Sequence, residues 1–134
     1  AWTEEDGFLD ASMNSFNHQE FASVGEWMYR VILGIEPDES QPGYKHFFIR
    51  PQPGGSLTCA RGSLDSVRGK IAVDWRRAGD ALTLEVTIPP NTSATVTLPE
   101  GFRRDIALDG TPAKGPTMEL SSGCYQLCGR AGSK

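Results

Sequence analysis

The chain has 134 residues, of which 38% are hydrophobic, and a formal net charge of -4. That length suits one domain of ordinary size, and no apolar stretch approaches the roughly 20 residues of a membrane-spanning helix. The arginines are scattered (Arg50, Arg61, Arg68, Arg76-Arg77, Arg103-Arg104) rather than massed on one run, which argues against nucleic acid as a partner.

Residues 1 to 16 read as irregular, with Gly7, Asp10 and Asn14 as breakers. The opening Ala1-Trp2-Thr3-Glu4-Glu5-Asp6 is acidic and is not a signal peptide. It reads as a cut inside a longer protein, so the compartment is not legible. A helix is predicted over 17 to 33: Phe21, Val24, Met28, Val31 and Ile32 recur at helical spacing and define one apolar face. Asn17 is placed as its N-cap with Glu20 completing a capping box, and Gly34 as a left-handed C-cap. From 35 to 43 the chain is a linker with Pro37, Asp38, Ser40, Pro42 and Gly43 and no apolar period.

After the linker the period changes to two. His46-Phe47-Phe48-Ile49-Arg50 is a short strand closed by Pro51 and Pro53. Ile71, Val73 and Trp75 alternate with Ala72, Asp74 and Arg76, so Trp75 is expected to be buried. Ala78-Gly79-Asp80 is a turn, and Leu82, Leu84, Val86 and Ile88 alternate again. Pro89-Pro90-Asn91 is read as breaking that run before Ala94, Val96 and Leu98 resume it. Further strands are predicted near 105 to 108 and 118 to 127, with Asp109-Gly110 as a turn. Short alternating strands with regular turn signals predict a mainly β fold, an antiparallel β-sandwich preceded by one α-helix.

Cys59, Cys124 and Cys128 give an odd count and no complete disulfide framework. Four residues along a strand span roughly 13 Å, too far for Cys124 to pair with Cys128, whereas Cys59 could meet either across a sheet. The preferred reading is three free thiols packed as small apolar groups. No cluster of Cys or His supplies a metal site, and no cofactor motif is present. Ser63, Ser66, His46 and Asp65 do not form a nucleophile-elbow pattern.

The densest polar cluster is Met13-Asn14-Ser15-Phe16-Asn17-His18, followed by Val24-Gly25-Glu26-Trp27-Met28-Tyr29. This resembles the end of the catalytic domain of the bacterial α-L-rhamnosidases. The resemblance continues through Gly34-Ile35-Glu36-Pro37-Asp38, Pro42-Gly43-Tyr44-Lys45-His46, Ile49-Arg50-Pro51, Ser66-Val67-Arg68-Gly69 and Pro89-Pro90-Asn91-Thr92. It covers about residues 2 to 99 and departs from the family after His18, where Gln19 and Glu20 replace the usual Tyr-Ala. It implies that residues 1 to 34 end an (α/α)6 catalytic barrel, 35 to 43 link, and 44 to 134 form a C-terminal β-sandwich. The partner of the helix face would then be the upstream catalytic domain of the same protein.

From the residues alone, His18 is either a histidine satisfied by a nearby carbonyl or a ligand-binding group. The resemblance implies the second: contact with the sugar of a rhamnose-containing glycoside or polysaccharide. Imidazole can donate to or accept from a sugar hydroxyl. Asn17 either bonds the sugar beside it or caps the helix, and the same choice holds for Asn14. The resemblance also implies an inverting hydrolase with two catalytic glutamates upstream, so no catalytic residue is assigned to this chain. Glu4, Glu5 and Asp6 match no catalytic position and read as solvated. The competing reading is a non-catalytic carbohydrate-binding or purely structural β-sandwich module.

Overall fold

A computed structural model describes residues 2, 3, 5, 7, 8 and 23–132. The short strands β1 (Trp2–Thr3) and β2 (Gly7–Phe8) pair with each other. The helix α1 (Ser23–Trp27) widens into a π turn over Met28–Ile32. The strands that follow are β3 (Ile35–Pro37), β4 (His46–Ile49), β5 (Cys59–Ser66), β6 (Gly69–Ala78), β7 (Ala81–Thr97), β8 (Arg104–Leu108), β9 (Thr111–Pro112) and β10 (Thr117–Arg130). A 3-10 turn, Glu100–Phe102, precedes β8. The fold is mainly β, as the alternation predicts.

Two long strands generate both layers. The first half of β7 pairs with β6, and its second half pairs with β4. β10 follows β7 throughout, with a register shift between Ser121 and Gly123. The first layer is therefore β5-β6-β7-β10-β8-β9, and the second is β3-β4-β7-β10. Pro89-Pro90-Asn91 does not end the strand, contrary to the sequence reading. It makes the corner at which β7 passes from one layer to the other. Asn91 adopts φ 58, and Thr92 Oγ1 donates to the Pro89 carbonyl at 2.7 Å. A bend beside a register shift on the partner strand is how a continuous sheet turns without losing its pairing.

The sandwich is antiparallel except at one pair. β4 runs parallel to β7, with His46 opposite Ser93 and Ile49 opposite Val96. Strand orientation is set by the route of the connection, here an excursion through β5 and β6. β5 was not foreseen: Ala60, Gly62, Leu64 and Ser66 are its half-buried positions, and only leucine is large and apolar. The predicted linker over 35–43 also opens with a strand, because Ile35, Glu36 and Pro37 pair with Ile49, Phe48 and Phe47. The 78–80 turn and the Asp109-Gly110 turn form as expected; both residues of the latter have positive φ, the conformation a two-residue hairpin requires.

The core lies between the layers. Phe47, Ile49, Ile71, Trp75, Leu84, Val96 and Leu127 are fully buried. Each such side chain contributes about 1.5–3 kcal/mol relative to exposure. The cysteines are free, but Cys59 and Cys124 are exposed and Cys128 is half-buried. The expectation that all three pack as apolar groups is thus corrected: Cys59 and Cys124 lie on the outward side of their strands, next to half-buried positions.

Candidate functional site

His18, Asn17, Asn14 and Glu20 lie outside the described residues, as does Phe21 of the apolar face. The described part of the helix shows how that segment meets the sandwich. Leu33 N donates to the Met28 carbonyl at 3.0 Å, five residues back, which is the π-type bond. This wider turn breaks the 3.6-residue period, so the apolar face is not one continuous stripe. Val24 and Met28 are 61% and 51% exposed, whereas Val31 and Ile32 are half-buried and Leu33 is buried. Trp27 and Tyr29 are also exposed.

The helix end is stapled to the sheet by its own leftover carbonyls. Trp75 Nε1, from the buried face of β6, donates to the Ile32 carbonyl at 2.8 Å. Gln52 N donates to the Val31 carbonyl at 3.0 Å. Tyr29 Oη donates to the Ser63 carbonyl of β5 at 3.2 Å. The last carbonyls of a helix have no partner within it, and here tertiary donors supply two. Gly34 then reverses the chain at φ +74, and Arg50 N donates to its carbonyl at 2.9 Å. The left-handed glycine expected after the helix is present. A groove of about 550 Å³ lies beside the helix, with Tyr29, Tyr44, Phe48 and Glu39 among its walls.

A second cluster sits on the outer side of the β3-β4-β7-β10 layer. The Asp38 carboxylate accepts from Ser40 Oγ at 2.6 Å and Ser40 N at 2.9 Å, and lies 2.8 Å from His46 Nδ1. The Ser40 hydroxyl first, then the Ser40 amide, hold this carboxyl below the ordinary aspartate range; desolvation opposes them, and the hydrogen bond and charge of His46 each add a smaller lowering. The buried His46 ring reaches Thr95 Oγ1 at 3.0 Å and Glu119 Oε2 at 3.4 Å through Nε2. Phe48 stands edge-on to it, and the Arg50 guanidinium covers the Phe48 ring at 4.3 Å.

Asp38, His46 and Thr95 have the order of an acid, a base and a hydroxyl, but they do not make a nucleophile. The Thr95 hydroxyl donates to the Glu119 carboxylate, so its proton is already committed. None of these four side chains lines the groove beside the helix. The cluster clasps the 38–45 loop to three strands. Sequence reasoning weighed His46 but missed its link to Asp38; the available signal was that the two residues bracket a short turn between apolar segments. Among the described residues no group of three or more His, Cys, Asp or Glu could hold a metal ion.

The segments 34–38, 42–46, 66–69 and 89–92 meet in space. Asp38 bonds His46, Arg68 Nε donates to the Gly43 carbonyl at 3.1 Å, and Gly69 lies against Pro89, whose Cβ would be 3.0 Å from a Cβ added at Gly69. They form one stitched end of the sandwich, on which the resemblance therefore converges.

These features define a mainly β sandwich domain with the end of a helix stapled to it. The bacterial α-L-rhamnosidase C-terminal domain matches residues 34–111, more than half of the chain, and the chain belongs to that family. An α-L-rhamnosidase of Streptomyces avermitilis is 44% identical over 93 residues, covering 69% of this chain and 9% of that protein. One from Formosa agariphila is 38% identical over 109 residues, covering 81% of this chain and 12% of that protein. The solved S. avermitilis α-L-rhamnosidase, complexed with L-rhamnose, superposes with a TM-score of 0.72 at 34% identity, over 93% of this chain and 12% of that one. The Dictyoglumus thermophilum α-L-rhamnosidase gives 0.76 at 25% identity, over 88% and 14%. The chain thus spans about a tenth of the length of the curated relatives it matches first.

Proposed function

We propose that this chain is the C-terminal part of an α-L-rhamnosidase that removes terminal α-L-rhamnose from glycosides by water attack with inversion. The observation that carries the proposal is the family match over 34–111, joined to structural likeness that extends over the helix-to-sheet junction. On this reading residues 1–34 belong to the helical catalytic domain, 35–43 connect, and 44–134 form the supporting sandwich. The exposed Val24, Trp27 and Met28 then pack against the upstream catalytic domain.

Inversion needs a carboxylic acid to protonate the leaving oxygen and a carboxylate to activate water, held roughly 6.5–9.5 Å apart. Both are assigned upstream of this chain. His18 contacts a rhamnose hydroxyl, with Asn17 beside it bonding the sugar. The test uses the intact enzyme and one aryl rhamnoside. His18→Ala lowers kcat/KM at least about tenfold, which corresponds to about 1.4 kcal/mol. Glu20→Ala, assigned to helix capping, lowers it much less and instead costs about 0.5–2 kcal/mol of stability. The 134-residue chain alone releases no rhamnose. Full activity of His18→Ala, or hydrolysis by the isolated chain, defeats the assignment.

A further inference from the structure

The outer face of the β5-β6-β7-β10 layer carries an open trough of about 780 Å³ that shares no residue with the His46 cluster and meets the stapled helix segment at Ser63. Its geometry follows from register. Ser63, Ala72, Thr87 and Cys124 are successive partners across the four strands and form the floor. Two residues along each strand, Arg61, Asp74, Glu85 and Gln126 are again successive partners and form a wall. Lys70 stands on the opposite side, and the Asp109 turn closes one end. Four strands at 4.7–4.9 Å spacing make the wall about 14 Å long.

The Gln126 end of the wall is tied down before any ligand arrives, whereas the Arg61 side chain is 83% exposed. Arg61 Nε lies 3.8 Å from Asp74, and Gln126 Nε2 donates to Glu85 at 3.2 Å. Asp109 Oδ1 accepts from the Gln126 backbone N–H at 2.8 Å, which ties the end of the trough to its wall. Groups already held in position lose less freedom on binding. The chemistry selects a class of ligand. Guanidinium and amide donors flank a central pair of carboxylate acceptors, so the wall offers both halves of the bonds that a hydroxyl makes. Charges of both signs line the trough, which disfavours a polyanion. The aromatic residue in its lining, Tyr125, is half-buried.

We infer that this trough binds a neutral oligosaccharide laid across the strands, the glycan portion of the substrate beyond the sugar that is cleaved. The ligand class rests on the function proposed above; the site itself rests on the trough. A three-sugar segment exploits the length of the wall, whereas a monosaccharide engages part of it and binds more weakly.

The test titrates the 15N-labelled 134-residue chain with a rhamnose-terminated trisaccharide, with L-rhamnose and with an anionic oligosaccharide of similar length. The trisaccharide shifts amides of 61–63, 72–74, 85–87 and 124–126 saturably and binds at least tenfold tighter than either other probe. Arg61→Ala and Gln126→Ala each weaken it about tenfold, and Ala72→Tyr, which fills the floor, abolishes it. Glu39→Ala, in the helix groove, has no effect. Absence of saturable shifts, shifts centred on the helix groove, stronger binding of the anionic probe, or unchanged affinity in Arg61→Ala and Gln126→Ala overturns the inference. Because those two substitutions are on exposed residues, the outcome stands even if Ala72→Tyr misfolds. In the intact enzyme they leave aryl rhamnoside hydrolysis unchanged and raise KM for the trisaccharide. Loss of aryl rhamnoside activity in the unsubstituted enzyme instead refutes the proposed hydrolase and leaves the binding result to be judged alone.

Discussion

Replacing Gly34 by alanine tests the joint between helix and sheet. Gly34 has φ +74, where an L side chain is disfavoured by about 1–2 kcal/mol. A Cβ added there meets the backbone of Arg50 and Pro51, both at 2.2 Å. Backbone cannot rotate aside as a side chain can, so the end of β4 must move. Overpacking of that kind costs typically about 1–3 kcal/mol. Together the two effects predict a loss of about 2–5 kcal/mol. Gly79 provides the control. It has φ +59 in the turn between β6 and β7, but nothing lies within 4 Å of an added Cβ. Gly79→Ala should therefore lose only the conformational part, about 1–2 kcal/mol. Urea unfolding followed by tryptophan fluorescence measures both; with slopes of about 1–3 kcal/mol per molar urea, the midpoints separate readily. Equal losses in the two variants would show that the close approach at Gly34 does not govern the joint.

Trp75→Phe keeps an aromatic ring in the core but deletes the donor to the Ile32 carbonyl. The orphaned acceptor costs about 1–3 kcal/mol, and hydrogen exchange of the 28–33 amides should speed up; unchanged exchange would contradict the staple. The Asp38 carboxyl titrates below its ordinary range in the folded chain. Its contribution to stability is therefore complete above the unfolded aspartate value of about 3.9 and is lost as pH falls through the lower folded value. Asp38→Asn should flatten the acid limb of a plot of stability against pH, and an identical acid limb in the variant refutes the role given to the Ser40 and His46 contacts.

Alternation alone made most of the sheet legible. Ile71, Val73 and Trp75, and Leu82 through Ile88, face one way because successive side chains on a strand point to opposite sides. Gly34 was legible because few other residues tolerate a left-handed turn after a helix, and the polar and glycine motifs sufficed to name the family. Those signals are local. They could not reveal that β4 runs parallel to β7, since orientation depends on the route of the chain between them. Nor could they distinguish a corner from a break at Pro89-Pro90-Asn91, which only the neighbouring β10 decides. β5 escaped because an edge strand needs little apolar surface. The end of the apolar helix face was misjudged because the π turn changes its period after Trp27. The Asp38–His46 clasp and the polar trough belong wholly to tertiary structure. Their residues come from separate strands, and only the register between those strands brings them side by side.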